Sequence, residues 1–278
     1  MTMEVIGIYF VWILLAFGII AAFSKQKRMS ISMAVIGLLI AFVNDRLSAV
    51  ALLSVLVGFG VAHHTSKQKP PLCYVGYSFL FLWSLSLWFH LIPGFNNVRV
   101  LDNVFSGPQS IPFNMYLDLD KPMIFFALLL SYPDLLSKIH KQNLQAIVAT
   151  TIPLFALLPI ASTFGKLELE FSIPNWWWLF LIKNLLFTCV VEEAFFRGFL
   201  QRSLSQRFGL VFGLLIASTL FGLAHLSGGL LLVVFASLAG LGYGLIFHFS
   251  GRLWAAVLVH FFFNFSHLIF FTYPLSSG

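Results

Sequence analysis

"VVEEAFFRGFL", residues 190–200, sets two adjacent carboxylates and an arginine inside a continuous apolar stretch. The rest of the chain explains why this matters. Of 278 residues, 59% are hydrophobic and only 9% charged, and the mean hydropathy is +0.93. Soluble domains carry about a quarter charged residues. The composition therefore excludes a soluble globule and implies an integral membrane protein whose main partner is the lipid bilayer. Apolar runs recur from end to end with no long hydrophilic block between them, so the chain reads as one continuous membrane domain.

A hydrocarbon core of about 30 Å needs roughly 20 apolar residues per helix, and helices satisfy their own backbone groups in lipid. Ten segments are predicted near Val5–Phe23, Ser30–Val43, Leu47–Ala62, Leu72–Ile92, Pro122–Leu136, Leu144–Phe164, Trp176–Ser205, Gly209–His225, Gly229–Phe249 and Leu253–Phe271. The fold class is all-α, a polytopic transmembrane helix bundle of eight to ten spans. The range reflects the short second and third segments, joined by Asn44-Asp45-Arg46 and compatible with a tilted hairpin.

Charge sets the expected orientation. Alternate connections gather Lys25, Lys27, Arg28, Lys67, Lys69, Lys138, Lys141, Arg202, Arg207 and Arg252 on one side, but only Arg46, Arg99, Lys121 and Lys166 on the other. Positively charged loops stay cytoplasmic. The N-terminus, with Glu4, is then expected outside, and Trp176, Trp177 and Trp178 form an aromatic anchor at the outer interface. The first run lacks the flanks and cleavage site of a signal peptide and reads as a retained span. The cations lie in short clusters between apolar runs, which excludes a nucleic-acid partner as the reason for the net charge of +6. Cys73 and Cys189 both sit in apolar segments and suggest neither a disulfide framework nor a cysteine metal site. The triplet Gly240, Gly242, Gly244 has no strand before it and reads as close helix packing, not a nucleotide loop. The connection from Pro93 to Lys121 reads as a surface loop.

Ionisable groups inside a membrane are expensive and mark function. Three places qualify: Glu192, Glu193 and Arg197; His225, one helical turn after Phe221; and His260 with Asn264. Residues four apart share a helix face, so Glu193 pairs with Arg197, whereas Glu192 is turned away by roughly 100° and has no mate on its own helix. At 1.5 Å per residue, Glu192 lies about 20 Å, His225 about 24 Å and His260 about 12 Å from the basic ends of their segments, so the site is expected to open toward the cytoplasm. A desolvated carboxylate, two imidazoles and an amide suffice for peptide hydrolysis: a base for water, an orienting imidazole, and donors for an oxyanion.

These three motifs, Glu192-Glu193-x-x-x-Arg197, Phe221-x-x-x-His225 and His260-x-x-x-Asn264, resemble those of the CPBP family, also called Abi, which groups CAAX prenyl proteases with bacteriocin-processing and immunity proteins. The resemblance covers Trp176 to Phe271. It divides the chain into N-terminal helices of unassigned role, residues 1–175, and CPBP-like catalytic helices, residues 176–278. It implies an intramembrane endopeptidase acting on a membrane-associated or lipidated peptide or protein. Glu192 would be the general base, His225 would orient the water, His260 and Asn264 would form the oxyanion site, and Glu193 and Arg197 would support them. No cofactor is favoured. The alternative is a zinc ion on Glu192, His225 and His260. Two further readings stay open: a non-catalytic immunity or scaffold protein of the same fold, and a proton-coupled transporter. The low charge and the lack of organellar targeting features suggest a prokaryotic plasma (inner) membrane.

Overall fold

The computed structural model describes residues 3–277, with side chains from Tyr9 onward, so the Glu4 carboxylate lies outside the described residues. The chain is mostly helical. Ten helices follow the ten apolar runs: α1 Met3–Phe23, α2 Lys27–Val43, α3 Ala49–Thr65, α4 Leu72–Trp88, α5 Lys121–Ser131, α6 Leu144–Ser162, α7 over residues 177–208, α8 Leu210–Leu223, α9 Leu230–Ser250 and α10 Leu253–Phe270. Among the described residues, α6, α9 and α10 are by themselves long and apolar enough to cross a membrane, while five further apolar helices are shorter. Large side chains exposed along the helices, such as Leu53, Leu56, Ile152, Val211 and Leu215, suit a lipid environment.

Two compact units divide the chain. The first comprises residues 1–99 and 116–136, the second residues 100–115 and 137–278. In the first unit α5 is the core. Pro122 to Leu129 are all buried, and at 11 residues the helix is about 16 Å long, half a bilayer core. The run read as a span from Pro122 to Leu136 is therefore a short buried helix. It ends at Ser131 because the Tyr132-Pro133 step disfavours the helical region for the residue before proline. Asp120, 1% exposed, holds its start: Oδ1 accepts from the Lys121 amide at 3.0 Å and Oδ2 meets His90 Nδ1 at 2.5 Å.

The connection read as a plain loop contains a two-stranded sheet, β1 Val98–Val104 with β2 Phe113–Leu117. This departs from an all-α chain. The reason is local: Phe113, Met115 and Leu117 alternate with Asn114 and Tyr116, a period of two that turns one face inward.

In the second unit, residues 106–111, 168–172 and 271–277 are stitched into one polar cap. Leu169 bridges Phe271 and Ser110 bridges Ser276. Glu170 accepts from the Gln109 amide and the Ser110 hydroxyl, each at 2.7 Å, and Ser276 Oγ donates to Glu168 at 2.6 Å. The three segments thus share one end of the unit. At another point residues 139–143 bond the α9–α10 turn, through Ile139 N to Gly251 O and Asn143 N to Phe249 O. The expected tryptophan anchor is smaller than three residues. Trp176 is 7% exposed and stacks on Phe113 at 5.8 Å, leaving Trp177 and Trp178 at the surface.

The α9 glycines act as spacers. A Cβ on Gly242 would stand 2.9 Å from Leu154 of α6, and one on Gly244 would stand 2.5 Å from Leu214 of α8 and 2.6 Å from Gln201 of α7. Overpacking of this kind costs about 1–3 kcal/mol. Gly244→Ala is expected to lower the midpoint of thermal unfolding in detergent by several degrees, read by differential scanning fluorimetry, with expression retained.

Candidate active site

Helix α7 is not a uniform α-helix. Trp177–Ile182 is α, Lys183–Cys189 is π, Val190–Glu193 returns to α, Ala194–Gln201 is π again and Arg202–Phe208 is α. π turns are rare and concentrate at functional sites. Here two of them flank the single α turn that carries both glutamates. With i→i+5 bonding, residues five apart come together, and the Cys189 thiol donates to Asn184 Oδ1 at 3.2 Å across that spacing.

The expected pairing of Glu193 with Arg197 is present. Both are completely buried, and Arg197 Nη1 donates to Glu193 Oε1 at 2.9 Å. The other arm of the guanidinium, Nη2, donates at 2.9 Å to the carbonyl of Gly240 on α9. Its face lies 4.5 Å from the Phe221 ring centre and 5.3 Å from that of Tyr243, so aromatic quadrupoles surround the cation. A buried charge survives only when paired and hydrogen-bonded, and this one is.

His260, 3% exposed, comes from α10 and faces both glutamates. Its Nδ1 meets Glu193 Oε1 at 2.8 Å, and its Nε2 stands 3.8 Å from Glu192 Oε2. A carboxylate only accepts, so Nδ1 carries a proton toward Glu193. The Tyr243 ring stacks on the imidazole at 4.4 Å and 16°, and the Phe221 ring stands edge-on at 5.7 Å, which fixes its plane. Glu192 differs from its neighbour as expected. Its side chain is 12% exposed against 0% for Glu193, and among the described contacts no cation of its own helix pairs with it.

His225 follows the end of α8. Its Nδ1 donates to Phe221 O at 2.8 Å and its ring lies 4.8 Å from the Phe221 ring. With the proton on Nδ1, Nε2 is left as an acceptor. Among the described contacts His225 joins the group through Phe221, which touches both imidazoles, and not by a direct bond to either glutamate. Asn264, on the face of α10 one turn after His260, donates from Nδ2 to Asn184 Oδ1 at 3.3 Å and toward Cys189 Sγ at 3.8 Å. Both contacts are long and weak.

Four participants were missed in the sequence: Asn184, Cys189, Tyr243 and Lys183, whose Nζ donates to Thr188 at 3.1 Å. A polar residue inside an apolar run was the available signal for Asn184 and Lys183. Tyr243 had none, because an aromatic residue in such a chain is unremarkable. His267 bonds the Thr272 carbonyl at 3.1 Å and packs on Tyr273, so it holds the C-terminal tail. Among the described residues no three His, Cys, Asp or Glu side chains are grouped to hold a metal ion, so the zinc alternative on Glu192, His225 and His260 finds no preformed ligand triad.

Residues 174–266 match the family model described as type II CAAX prenyl endopeptidase Rce1-like. This segment, a third of the chain, contains all three motifs, and the match supports their likeness to the CPBP family. Comparisons with curated proteins and with solved structures gave no match.

Removing one partner of a buried ion pair costs about 3–5 kcal/mol because the other charge is stranded. Glu193→Ala is therefore expected to unfold or strongly destabilise the protein. Glu192→Gln, which removes no bond shorter than 3.8 Å, is expected to shift the unfolding midpoint by no more than a surface substitution does, about 0.5 kcal/mol. Thermal unfolding of the two variants in the same detergent checks the contrast.

Proposed function

We propose that this chain, whose carboxy-terminal third matches the model of a family of membrane-embedded CAAX-type proteases, is an intramembrane endopeptidase with Glu192 as its general base. The observation that carries the reading is the unequal treatment of two neighbouring carboxylates. Arg197 neutralises Glu193 at 2.9 Å, and Glu192 is left partly exposed with only an imidazole nitrogen at 3.8 Å. A carboxylate whose oxygens are not engaged by a cation is sterically free to receive a proton from a bound water.

In the reaction, a water held between Glu192 and the free Nε2 of His225 gives a proton to Glu192 while its oxygen attacks the substrate carbonyl carbon. The carbonyl π electrons move onto oxygen. His260, protonated on both nitrogens, donates from Nδ1 to Glu193 and from Nε2 to the developing oxyanion. Asn264 exchanges its long contacts with Asn184 and Cys189 for a second donation to that oxygen. Collapse breaks the C–N bond, and Glu192 returns its proton to the leaving amine. The new carboxyl group keeps the water oxygen and its second proton, which it then loses to solvent. Glu193 and Arg197 orient His260 and do not meet the substrate.

The substrate class is a membrane-associated or lipidated peptide or protein segment. The family description and the apolar surroundings of the site support this choice.

Comparison of membrane-proteome termini is expected to reveal a cleavage present with the intact protein and absent with Glu192→Ala or His260→Ala. Asn264→Ala should lower kcat by about 10²-fold, the usual effect of losing one oxyanion donor. A zinc chelator should leave the purified activity unchanged. Cleavage that persists in Glu192→Gln, at normal expression, rules out Glu192 as the base.

A further inference from the structure

Glu193, Arg197, Gln201 and Ser205 recur every fourth residue along one face of α7. Each holds a buried polar atom without a hydrogen-bond partner in the protein: Glu193 Oε2, Arg197 Nε, Gln201 Oε1 and Ser205 Oγ. Exposure of the residues rises along the series, from 0% at Glu193 and Arg197 to 2% at Gln201 and to half-buried at Ser205. Among the described residues only two other side chains, Ser30 and Arg252, carry such atoms. Four of six thus fall on one stripe that runs from the site to the Arg202–Arg207 end of the helix.

Helix–helix docking explains only half of this chemistry. Arg197 Nη2 and Gln201 Nε2 donate to the carbonyls of Gly240 and Gly244, at 2.9 and 3.0 Å, and so clamp α7 onto α9. The unpartnered atoms are the other ends of those same groups. Leaving a buried polar atom unbonded costs about 1–3 kcal/mol, and buried polar atoms that lack a protein partner are met by ordered water. Residues four apart stand about 5–6 Å from each other along a helix face. Two hydrogen bonds of about 2.8 Å through one oxygen span that gap. The glycines opposite keep side chains off these atoms, since a Cβ at Gly244 would lie 2.6 Å from Gln201 Oε1 and one at Gly213 would lie 2.2 Å from Ser205 Oγ.

We infer that Gln201 and Ser205 line a file of ordered water that carries the hydrolytic water from the Arg202–Arg207 end of α7 to the glutamate centre. The water-delivery role rests on the hydrolase reading, while the file itself rests on the unpartnered atoms alone. The path ends at Glu193, whose other oxygen holds His260, the residue facing Glu192. Gln201 and Ser205 are positioning residues for water and touch no substrate. At an α-helical rise the stripe is at most about 18 Å long, somewhat less through the π turn.

The test uses radiolytic hydroxyl-radical labelling, which modifies side chains beside bound water, on the full chain in detergent. Leu214 and Tyr243 are the reporters, and Phe125 and Phe126, 0% exposed, are the dry-core controls. Wild-type reporters should label several-fold faster than the controls. Ser205→Val should slow them to the control rate, whereas Ser205→Thr, of the same shape with the hydroxyl kept, should not. Reporters that label no faster than Phe125 in the wild type, or a Val variant that equals the Thr variant, overturn the proposal. Repeating the labelling in Glu192→Gln separates the two readings, because the file should persist there whether or not Glu192 is the base. On substrate, Ser205→Val should lower kcat several-fold with KM unchanged, and Ser205→Thr should restore it.

Discussion

The fully buried guanidinium of Arg197 is the constraint around which the second unit is arranged. A cation at this depth must be paired, and it draws on three helices: Nη1 meets Glu193 one turn back on α7, Nη2 the Gly240 carbonyl on α9, and its face the rings of Phe221 on α8 and Tyr243 on α9. Position 240 has little room for a side chain, since a Cβ would meet Arg197 Nη2 at 3.2 Å and Phe221 at 3.1 Å. The cation therefore decides which residues of α8 and α9 face α7. Through Glu193 it also decides where His260 stands.

The two glutamates show how adjacent, chemically identical groups acquire different properties. One turns toward Arg197 and becomes part of the scaffold, a charge whose oxygen is committed to a guanidinium and an imidazole. The other turns away and meets only the far nitrogen of the same imidazole. The π turns on either side extend this effect. They interrupt the α register on both flanks of Val190–Glu193 and let Asn184 reach Cys189 and Asn264 from the same helix that carries the glutamates. Such insertions stay where the local geometry is used for something, because the ladder itself gains nothing from them.

Away from this centre, backbone and hydroxyl hydrogen bonds tie the second unit together. Glu168 and Glu170 accept bonds from segments more than fifty residues away, and the tail after α10 is pinned through Thr272, Tyr273 and Ser276. Burial pushes the Tyr273 phenol well above its usual range, so it stays neutral beneath this cap. The end of α10, and with it the turn-by-turn placement of His260 and Asn264, is thereby fixed at a distance from the site.

The positions of ten helices, the partnership of Glu193 with Arg197 and the isolation of Glu192 were all legible in the residues, because a 3.6-residue period and a bilayer's intolerance of charge act locally. The buried, half-length α5, the β1–β2 ribbon and the inward turn of Trp176 were not, since an apolar run reads alike whether it meets lipid or protein. Nor did the chain reveal that one imidazole stands between both carboxylates, that Tyr243 stacks on it, or that Asn264 meets Asn184. Those facts depend on which faces of α7, α8, α9 and α10 meet. That choice belongs to packing around Arg197, between residues as far apart as Glu193 and His260, where no local periodicity carries the information.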